Sequence, residues 1–327
     1  MNQEGILMPQ LQQDATRNKL NQLLESMNKV ILGKETETKE VVLAVLAGGH
    51  ILLEDIPGVG KTTLALTLAK LLDLDFRRMQ FTPDVLPSDL TGFSIYRRDK
   101  EEFVYQQGTV FTNLLLADEL NRASARTQSA LLEVMQEGNV TVEGITRQVP
   151  VPFIVIATEN PYGSAGTVRL PESETDRFMI SLSMGYPDKN SEMTLIRGEM
   201  DAREKIARLE PILTREELAA IREEIKKIYI KDNIVDYMAE LIRKTRTAPD
   251  LRLGASPRAS LALAAMARAS AYLDGRDFVA PSDAADQFLY VVQHRISLTE
   301  ESDAEGMTRQ KAAEKILEDT EKPGIGR

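Results

Sequence analysis

The residues best suited to chemistry are Lys61 and Thr62, which follow a turn-rich loop containing Gly58 and Gly60. These glycines can turn their backbone N–H groups inward, because they have no Cβ atom that would clash. N–H groups arranged in this way at the start of a helix bind anions. In such a site Lys61 reaches the β- and γ-phosphates of a nucleotide, and the Thr62 hydroxyl binds Mg²⁺.

Asp55 departs from the general phosphate-binding loop, which has a glycine five residues before Gly60. An ordinary strand-to-helix turn with a surface lysine is therefore an alternative. The flanking residues favour the phosphate-binding arrangement. An apolar run at 51–53 predicts a strand before the loop, and apolar residues at helical spacing over 64–72 predict a helix after it.

A pair of carboxylates, Asp118 and Glu119, follows a continuous apolar run at 114–117. Such a run is typical of a central parallel strand buried on both faces, and ligands bind at the carboxyl ends of these strands. There Asp118 would hold Mg²⁺ through water, and Glu119 would polarise the attacking water near the γ-phosphate. Two acidic residues can also simply begin a helix. The loop upstream favours the catalytic interpretation, because two separate halves of one site agree.

Three further side chains are candidates, each with an ordinary alternative. Asn160 follows a predicted strand at 153–157 and could orient the attacking water, although Asn-Pro is also a turn signal. Arg177 could be an arginine finger placed against the γ-phosphate of a neighbouring chain, whereas most such arginines form surface ion pairs. Arg258 lies in the first turn of a predicted helix, where a cation costs about 0.3–1 kcal/mol. That cost indicates contact with the nucleotide, and the alternative is an ion pair with an acid.

A short apolar segment separates two helices predicted near the N-terminus. It contains Ile31, Leu32 and Gly33. Because nucleotide pockets are largely apolar, Ile31 and Leu32 could form a wall for an adenine ring. They could equally belong to the hydrophobic core.

Composition limits the classes of protein to consider. The chain has 327 residues, enough for about two domains, and 43% of them are hydrophobic. It has no cysteine, which excludes disulfides and cysteine-based metal sites. Without a signal peptide or an apolar run of about 20 residues, a cytoplasmic location is expected. The net charge of −10 argues against broad nucleic-acid binding.

Alternating strand and helix patterns predict an α/β fold with five parallel strands up to residue 186. Two hairpins, at 93–106 and 139–150, interrupt this alternation. From residue 187 only helices are predicted, at 189–203, 214–227, 231–247, 257–274 and 281–295. The predicted division is therefore an N-terminal helical and nucleotide-binding core at 1–186, an all-helical domain at 187–298, and a charged C-terminal tail at 299–327.

Several separated strings together resemble the MoxR family of AAA+ ATPases. They include LLEDIPGVGKT, QFTPDVLPSDLTG, NLLLADELNRA, TQSALLEVMQEGNVTVEG, IATENP, LPESETDRF, GYP and RLGASPRASLAL. The resemblance runs from about residue 30 to 296 and implies an αβα P-loop core with a five-stranded parallel sheet, followed by a helical lid. By position, Walker B falls on Asp118 and Glu119, sensor 1 on Asn160, the arginine finger on Arg177 and sensor 2 on Arg258.

The resemblance also implies the ligands. ATP and Mg²⁺ are the expected cofactors, with Thr62 and Asp118 at the metal. The expected nucleotide-contacting residues are Ile31, Leu32, Gly33, Pro57, Gly58, Val59, Gly60, Lys61, Thr62 and Thr63. The two hairpins resemble insertions that, in the group of AAA+ ATPases to which the MoxR family belongs, face the ring pore or the substrate side.

The expected function is ATP hydrolysis in a ring-shaped homo-oligomer, with a hexamer as the expected form. The family resemblance implies chaperone-like remodelling of client complexes or assistance with cofactor or metal insertion. It also suggests partners with von Willebrand factor A domains. The alternatives are a nucleotide-dependent binding switch with negligible turnover, a small-molecule kinase, and a DNA-associated motor that uses Arg97, Arg98 and Lys100.

Overall fold

The computed structural model describes residues 4–56, 58–99, 101–160, 170–197 and 202–324. The strands are β1 Ile51–Glu54, β2 Phe76–Gln80, β3 Gly92–Arg97, β4 Glu102–Gln107, β5 Leu114–Asp118, β6 Asn139–Val142, β7 Ile145–Gln148, β8 Ile154–Glu159, β9 Ile180–Leu182, β10 Leu251–Leu253 and β11 Ser297–Leu298. The α-helices are α1 Glu4–Val30, α2 Glu35–Leu46, α3 Lys61–Leu71, α4 Pro87–Thr91, α5 Ala125–Glu137, α6 Glu172–Thr175, α7 Lys189–Ile196, α8 Ala202–Ala207, α9 Arg215–Lys226, α10 Asp232–Thr247, α11 Pro257–Leu273, α12 Pro281–Val292, α13 Glu300–Ala304 and α14 Arg309–Glu318.

A five-stranded parallel sheet, in the order β2-β5-β8-β1-β9, forms the centre of the first part of the chain. Strands β1, β5, β8 and β9 are mostly apolar and buried because both of their faces are covered, whereas the edge strand β2 is polar and largely exposed. Leu114 and Leu116 point into a core shared with α1, α2 and α3, whereas Leu115 packs on the other face with α5. The fold predicted from the sequence is therefore confirmed, with its helices on both sides of the sheet.

Both predicted hairpins are present. Strands β3 and β4 pair without a register break, from Gly92 with Gln107 to Arg97 with Glu102. Strands β6 and β7 pair in the same antiparallel manner. The first hairpin projects large side chains into solvent, and Phe103 is 73% exposed. This hairpin therefore contributes little to the core that positions the site.

The second part of the chain is mainly helical, with one addition to the prediction. Strands β10 and β11 form a short antiparallel ribbon where only helices were expected. The predicted helix at 189–203 is represented by α7 and α8, and residues 198–201 between them lie outside the described residues. Short strands of two or three residues give too weak a periodic signal to be found in a sequence.

The C-terminal segment, predicted as a charged tail, contains helices α13 and α14. Helix α14 packs against α10 and α12, and it buries Ala312, Ala313 and Ile316. Its N-cap is Thr308, whose side chain accepts a hydrogen bond from the Lys311 N–H. In the structure, residues 299–318 thus extend the helical part of the chain.

Candidate functional site

The loop after β1 has the backbone conformation that phosphate binding needs. Gly58 has φ +88° and Gly60 has φ +92°, a region that glycine adopts readily and other residues rarely do. A Cβ atom at either position would meet nothing within 4 Å, so conformation rather than space requires the glycines. Gly60 directly precedes α3 and supplies no side-chain cap, so N–H groups of the first helical turn can bind an anion.

The ammonium group of Lys61 lies at the mouth of this loop. Its Nζ donates hydrogen bonds to the carbonyl oxygens of Asp55, at 2.9 Å, and Ile56, at 3.2 Å. Burial lowers the pKa of Lys61, and the nearby carboxylates of Asp55, Asp118 and Glu119 oppose that change. A phosphate chain would supply the negative charge that a half-buried ammonium favours.

The two predicted carboxylates lie at the end of β5 and are fixed by one hydroxyl group. Thr158 Oγ1 donates to Asp118 Oδ1 at 2.7 Å and accepts the backbone N–H of Glu119 at 2.8 Å. Glu119 has φ +56°, a left-handed conformation that costs a residue with a side chain about 1–3 kcal/mol. Thr158 therefore helps to hold a strained backbone at the expected catalytic glutamate.

Two arginines that sequence reasoning did not single out contact these carboxylates. Arg78 on β2 donates to Asp118 Oδ2 at 2.7 Å, and Arg122 donates to Glu119 Oε2 at 2.6 Å. Strands β2 and β5 are parallel neighbours, so the pairing could have been found only once the strand order was known. Arg122 follows Glu119 by three residues, a spacing that was visible in the sequence.

One cavity of about 360 Å³ joins these groups. Its polar lining brings the predicted Asn160 together with the loop and with both carboxylates. The lining residues are Asp55, Gly58, Gly60, Lys61, Thr62, Thr63, Arg78, Gln80, Asp118, Glu119, Thr158 and Asn160. Thr62 and Asp118 share this cavity, as a Mg²⁺ ion held by few protein ligands and several waters requires.

A second, mainly apolar cavity of about 240 Å³ lies beside the same glycines. Ile31 and Leu32 line it together with Val59 and Gly185. Gly33 does not line it, but a Cβ at Gly33 would come within 2.7 Å of the Ser191 hydroxyl, so the glycine permits this close approach. An apolar slot next to a phosphate-binding loop suits a purine base. Pro57, also predicted to contact the nucleotide, lies outside the described residues.

Arg177 and Arg258 occupy a different place. Both line a cavity of about 390 Å³ together with His50, which precedes β1 and so lies at the amino edge of the parallel sheet. Arg177 Nη1 donates to the carbonyl oxygen of Leu132 at 2.9 Å. The cavity of about 360 Å³ that contains Lys61, Asp118 and Glu119, called the nucleotide cavity below, is at the carboxyl edge of the same sheet. Neither arginine lines it.

Arg258, which was expected to contact the nucleotide, therefore lies away from the cavity that contains Lys61 in the same chain. Arg258 Nη1 lies 3.7 Å from Asp176 Oδ2, and the Ser256 hydroxyl that begins α11 also donates to that carboxylate. Arg295 Nε donates to the other carboxylate oxygen of Asp176, Oδ1, at 3.0 Å. These bonds attach the start of α11 to the residues before β9, at the edge away from the loop.

Comparisons with known proteins agree with this geometry. Residues 50–180 match a family described as ATPase family associated with various cellular activities (AAA), and residues 243–319 match an AAA lid domain. The chain is 43% identical to the Bacillus subtilis protein YeaC over 91% of this chain and 93% of that protein. It is 36% identical to the Mycobacterium tuberculosis chaperone MoxR1 over 94% of this chain and 83% of that protein.

A solved structure shows the same fold over the whole length. A crystal structure from Cytophaga hutchinsonii, of a protein proposed to be an ATPase, has a TM-score of 0.89. It is 38% identical and covers 99% of both chains. With a P-loop cavity on a five-stranded parallel sheet, a lid and these relatives, the chain belongs to the MoxR family of AAA+ ATPases.

Proposed function

We propose that this protein hydrolyses ATP to ADP and phosphate in a ring of identical chains. The observation that carries the proposal is the division of the candidate site between two edges of one sheet. Lys61, Asp118 and Glu119 share the cavity at the carboxyl edge, whereas Arg177 lies at the amino edge. A neighbouring chain can supply the missing cation, as arginine fingers do.

Each side chain has a proposed role. The loop N–H groups and Lys61 bind the β- and γ-phosphates, and the apolar cavity at Ile31 and Leu32 receives the base. Glu119 accepts a proton from the attacking water, and Asn160 orients that water. Mg²⁺, when bound near Thr62 and Asp118, would neutralise charge on the phosphates.

The strained backbone of Glu119 supports its role as the base. The hydrogen bond to Thr158 fixes the Glu119 backbone, and so the point from which its side chain extends. A catalytic group that is already positioned lowers the entropic cost of reaching the transition state. The ion pair with Arg122 further restrains the carboxylate in this chain. The Glu119 carboxylate must exchange this partner, or share it, when it accepts a proton.

We also propose that Arg177 and Arg258 act together on the nucleotide of the neighbouring chain. They line one cavity, and the contacts of Asp176 with Arg258 and Ser256 hold that cavity together. Two cations near a γ-phosphate stabilise charge that develops on its oxygens. This assignment places sensor 2 in a different chain from the loop that it serves.

The work driven by hydrolysis is proposed to be chaperone-like, in keeping with the name of the M. tuberculosis relative. The exposed hairpin of β3 and β4, with Phe93, Ile95 and Phe103 in solvent, offers an apolar surface to a client. Cofactor or metal insertion, a hexameric ring, a von Willebrand factor A partner and a cytoplasmic location remain predictions from the family resemblance and the sequence. Among the described residues, no helix is long and apolar enough to cross a membrane.

Two alternatives have less support. For the DNA-associated motor, Arg97 is already bonded to Asp99 through two parallel hydrogen bonds, and Lys100 lies outside the described residues. For a binding switch with negligible turnover, the fixed Glu119 would have no purpose. We favour hydrolysis for these reasons.

Turnover measured against protein concentration tests the proposal. We expect phosphate release per chain to rise as chains assemble, and to fall by at least about 100-fold in Glu119→Gln. The Glu119→Gln protein should still bind ATP, so it can also be used to capture a client in the ATP state. Turnover that does not depend on assembly, together with an unaffected Glu119→Gln variant, would refute hydrolysis at this site.

A further inference from the structure

Asp55, which stands where the general P-loop has a glycine, accepts three hydrogen bonds through its carboxylate. Its side chain is buried, with only 3% of the residue exposed. Asp55 Oδ1 accepts hydrogen bonds from the Ser183 hydroxyl at 2.7 Å and from the Gly185 N–H at 3.1 Å. Asp55 Oδ2 accepts the Met184 N–H at 2.5 Å. Three consecutive residues are therefore held by one carboxylate.

These contacts begin where the sheet ends. Strands β1 and β9 pair in parallel from Ile51 with Ile180 to Leu53 with Leu182. Among the described residues, the strand pairing of these two segments ends at Leu182. The Asp55 carboxylate takes over the N–H groups of Met184 and Gly185, and so keeps the segment at 183–185 against the phosphate-binding loop. Hydrogen bonds to an ionised acceptor are stronger than the backbone pairs that they replace.

The segment held in this way forms part of the apolar cavity. Gly185 lines that cavity together with Ile31, Leu32 and Val59, and the chain continues from it into α7. Lys34 Nζ also donates to the Tyr186 carbonyl oxygen at 2.9 Å, from the segment that follows α1. The wall at 185 is thus fixed from two sides, by Asp55 and by Lys34.

The same residue also faces the phosphate-binding side. The Asp55 carbonyl oxygen accepts the hydrogen bond from Lys61 Nζ, while its carboxylate holds 183–185. Main chain and side chain of one residue therefore belong to two neighbouring subsites. Of these two links, the one from Asp55 to the apolar cavity depends on the side chain and can be removed by substitution.

We propose that Asp55 is a positioning residue that holds residues 183–185 as a wall of the base pocket, so that it sets affinity for the purine and not for the phosphate chain. The inference rests on the proposed function only in taking an adenine nucleotide as the ligand. A glycine at position 55 would satisfy the phosphate-binding loop but would leave the Met184 and Gly185 N–H groups without this acceptor. With aspartate at position 55, the loop lacks the conformational freedom of a glycine, but residues 183–185 are held in place beside the base pocket.

The test compares ADP with inorganic pyrophosphate, because both carry a diphosphate and only ADP carries the base. Calorimetric titration with Mg²⁺ gives both dissociation constants for the full chain and for Asp55→Asn. The amide of asparagine is close in size, but its NH₂ group cannot accept from a backbone N–H. We expect ADP to bind about tenfold more weakly, whereas pyrophosphate affinity should not fall, because the substitution removes a negative charge near Lys61.

Glu54→Gln is the matched control. Glu54 is the adjacent residue, but its carboxylate contacts Ser181 and Arg309, away from the apolar cavity. Both affinities should stay within about twofold of the unaltered chain in this variant. Ser183→Ala, which removes one of the three donors, should weaken ADP binding in the same direction by a smaller factor, and it decides the question if Asp55→Asn does not fold.

The outcomes separate this inference from the proposed function. If the unaltered chain binds ADP and Asp55→Asn binds it equally well, Asp55 does not shape the base pocket and the inference is wrong. A parallel loss of ADP and pyrophosphate affinity would also overturn it, since Asp55 would then support the phosphate-binding loop itself. If the unaltered chain binds neither ligand, the proposed nucleotide site fails as a whole.

Discussion

Replacing Arg177 by alanine tests the division of the site between two chains. Strand β1 separates His50, which lines the arginine cavity, from Asp55, which lines the nucleotide cavity. Five residue steps of about 3.3 Å each place the backbones of these two lining residues roughly 16 Å apart. An arginine side chain does not span that distance, so we expect Arg177 to reach a nucleotide on a neighbouring chain and not on its own.

The expected size of the effect distinguishes the two arrangements. Over about 16 Å, a unit charge contributes only about 0.3 kcal/mol in water, or about 1 kcal/mol at an effective dielectric constant of 20. Acting through space on its own chain, Arg177 could therefore change turnover by less than about sixfold. A finger in contact with the γ-phosphate contributes about 10³–10⁵ in rate, or roughly 4–7 kcal/mol. We expect Arg177→Ala to lower turnover by at least 10³-fold while ATP affinity stays nearly unchanged.

Mixing variants shows which chain supplies the arginine. Arg177→Ala keeps Glu119, and Glu119→Gln keeps Arg177, so neither protein alone has a complete site. If the two are mixed equally as dissociated chains and then assembled, about a quarter of random interfaces join an intact Glu119 to an intact Arg177. Phosphate release should therefore recover toward about a quarter of the unaltered rate. No recovery on mixing, or a loss below tenfold in Arg177→Ala, would refute the trans arrangement.

Three further changes have defined outcomes. Lys61→Ala should reduce ATP binding below detection by calorimetry, because it removes the cation at the phosphates; unchanged affinity would contradict the loop assignment. Arg258→Ala should lower turnover but change the unfolding free energy by less than about 1 kcal/mol, since its half-exposed ion pair contributes little to stability; an equal loss of both would favour a structural role. Burial raises the pKa of Glu40 from 4.5 to about 7, so the folded chain keeps a proton that the unfolded chain releases, and stability attributable to Glu40 is lost as pH rises through about 4.5–7. Urea unfolding at pH 5 and pH 8 should show this loss, about 1–3 kcal/mol, and Glu40→Gln should remove it; identical pH slopes in both proteins would exclude the assignment.

The elements around the loop were predictable because their signals are local. The apolar runs at β1, β5 and β8 identify buried parallel strands, and carboxylates at their ends fall where ligands bind. The spacing of Gly58, Gly60 and Lys61 reflects backbone conformation within a few residues. The sequence therefore places both halves of the nucleotide cavity without knowledge of strand order.

The remaining parts depend on contacts between distant residues. In the sequence, Asp55 is a departure from the P-loop motif. Its contacts with residues 183–185 are apparent only in the folded chain. Thr158 and Arg78 act on the carboxylates from neighbouring strands, an arrangement that periodicity does not reveal. Arg258 lies at the amino edge of the sheet because α11 is attached there through Asp176. The sequence identified Arg258 as a candidate, but it could not show at which edge of the sheet this arginine lies.

The length of β1 also limits which assemblies can work. Because the loop and the arginines lie at opposite ends of this four-residue strand, the proposed trans arrangement needs a contact that brings one end of a chain to the other end of its neighbour. Repeated head-to-tail contacts of one kind provide it. An open row of chains leaves an unfinished loop at one terminus and unused arginines at the other, whereas a closed ring leaves neither. In such a head-to-tail assembly, the number of working sites per chain would report ring closure, because it would reach one only when the last chain meets the first.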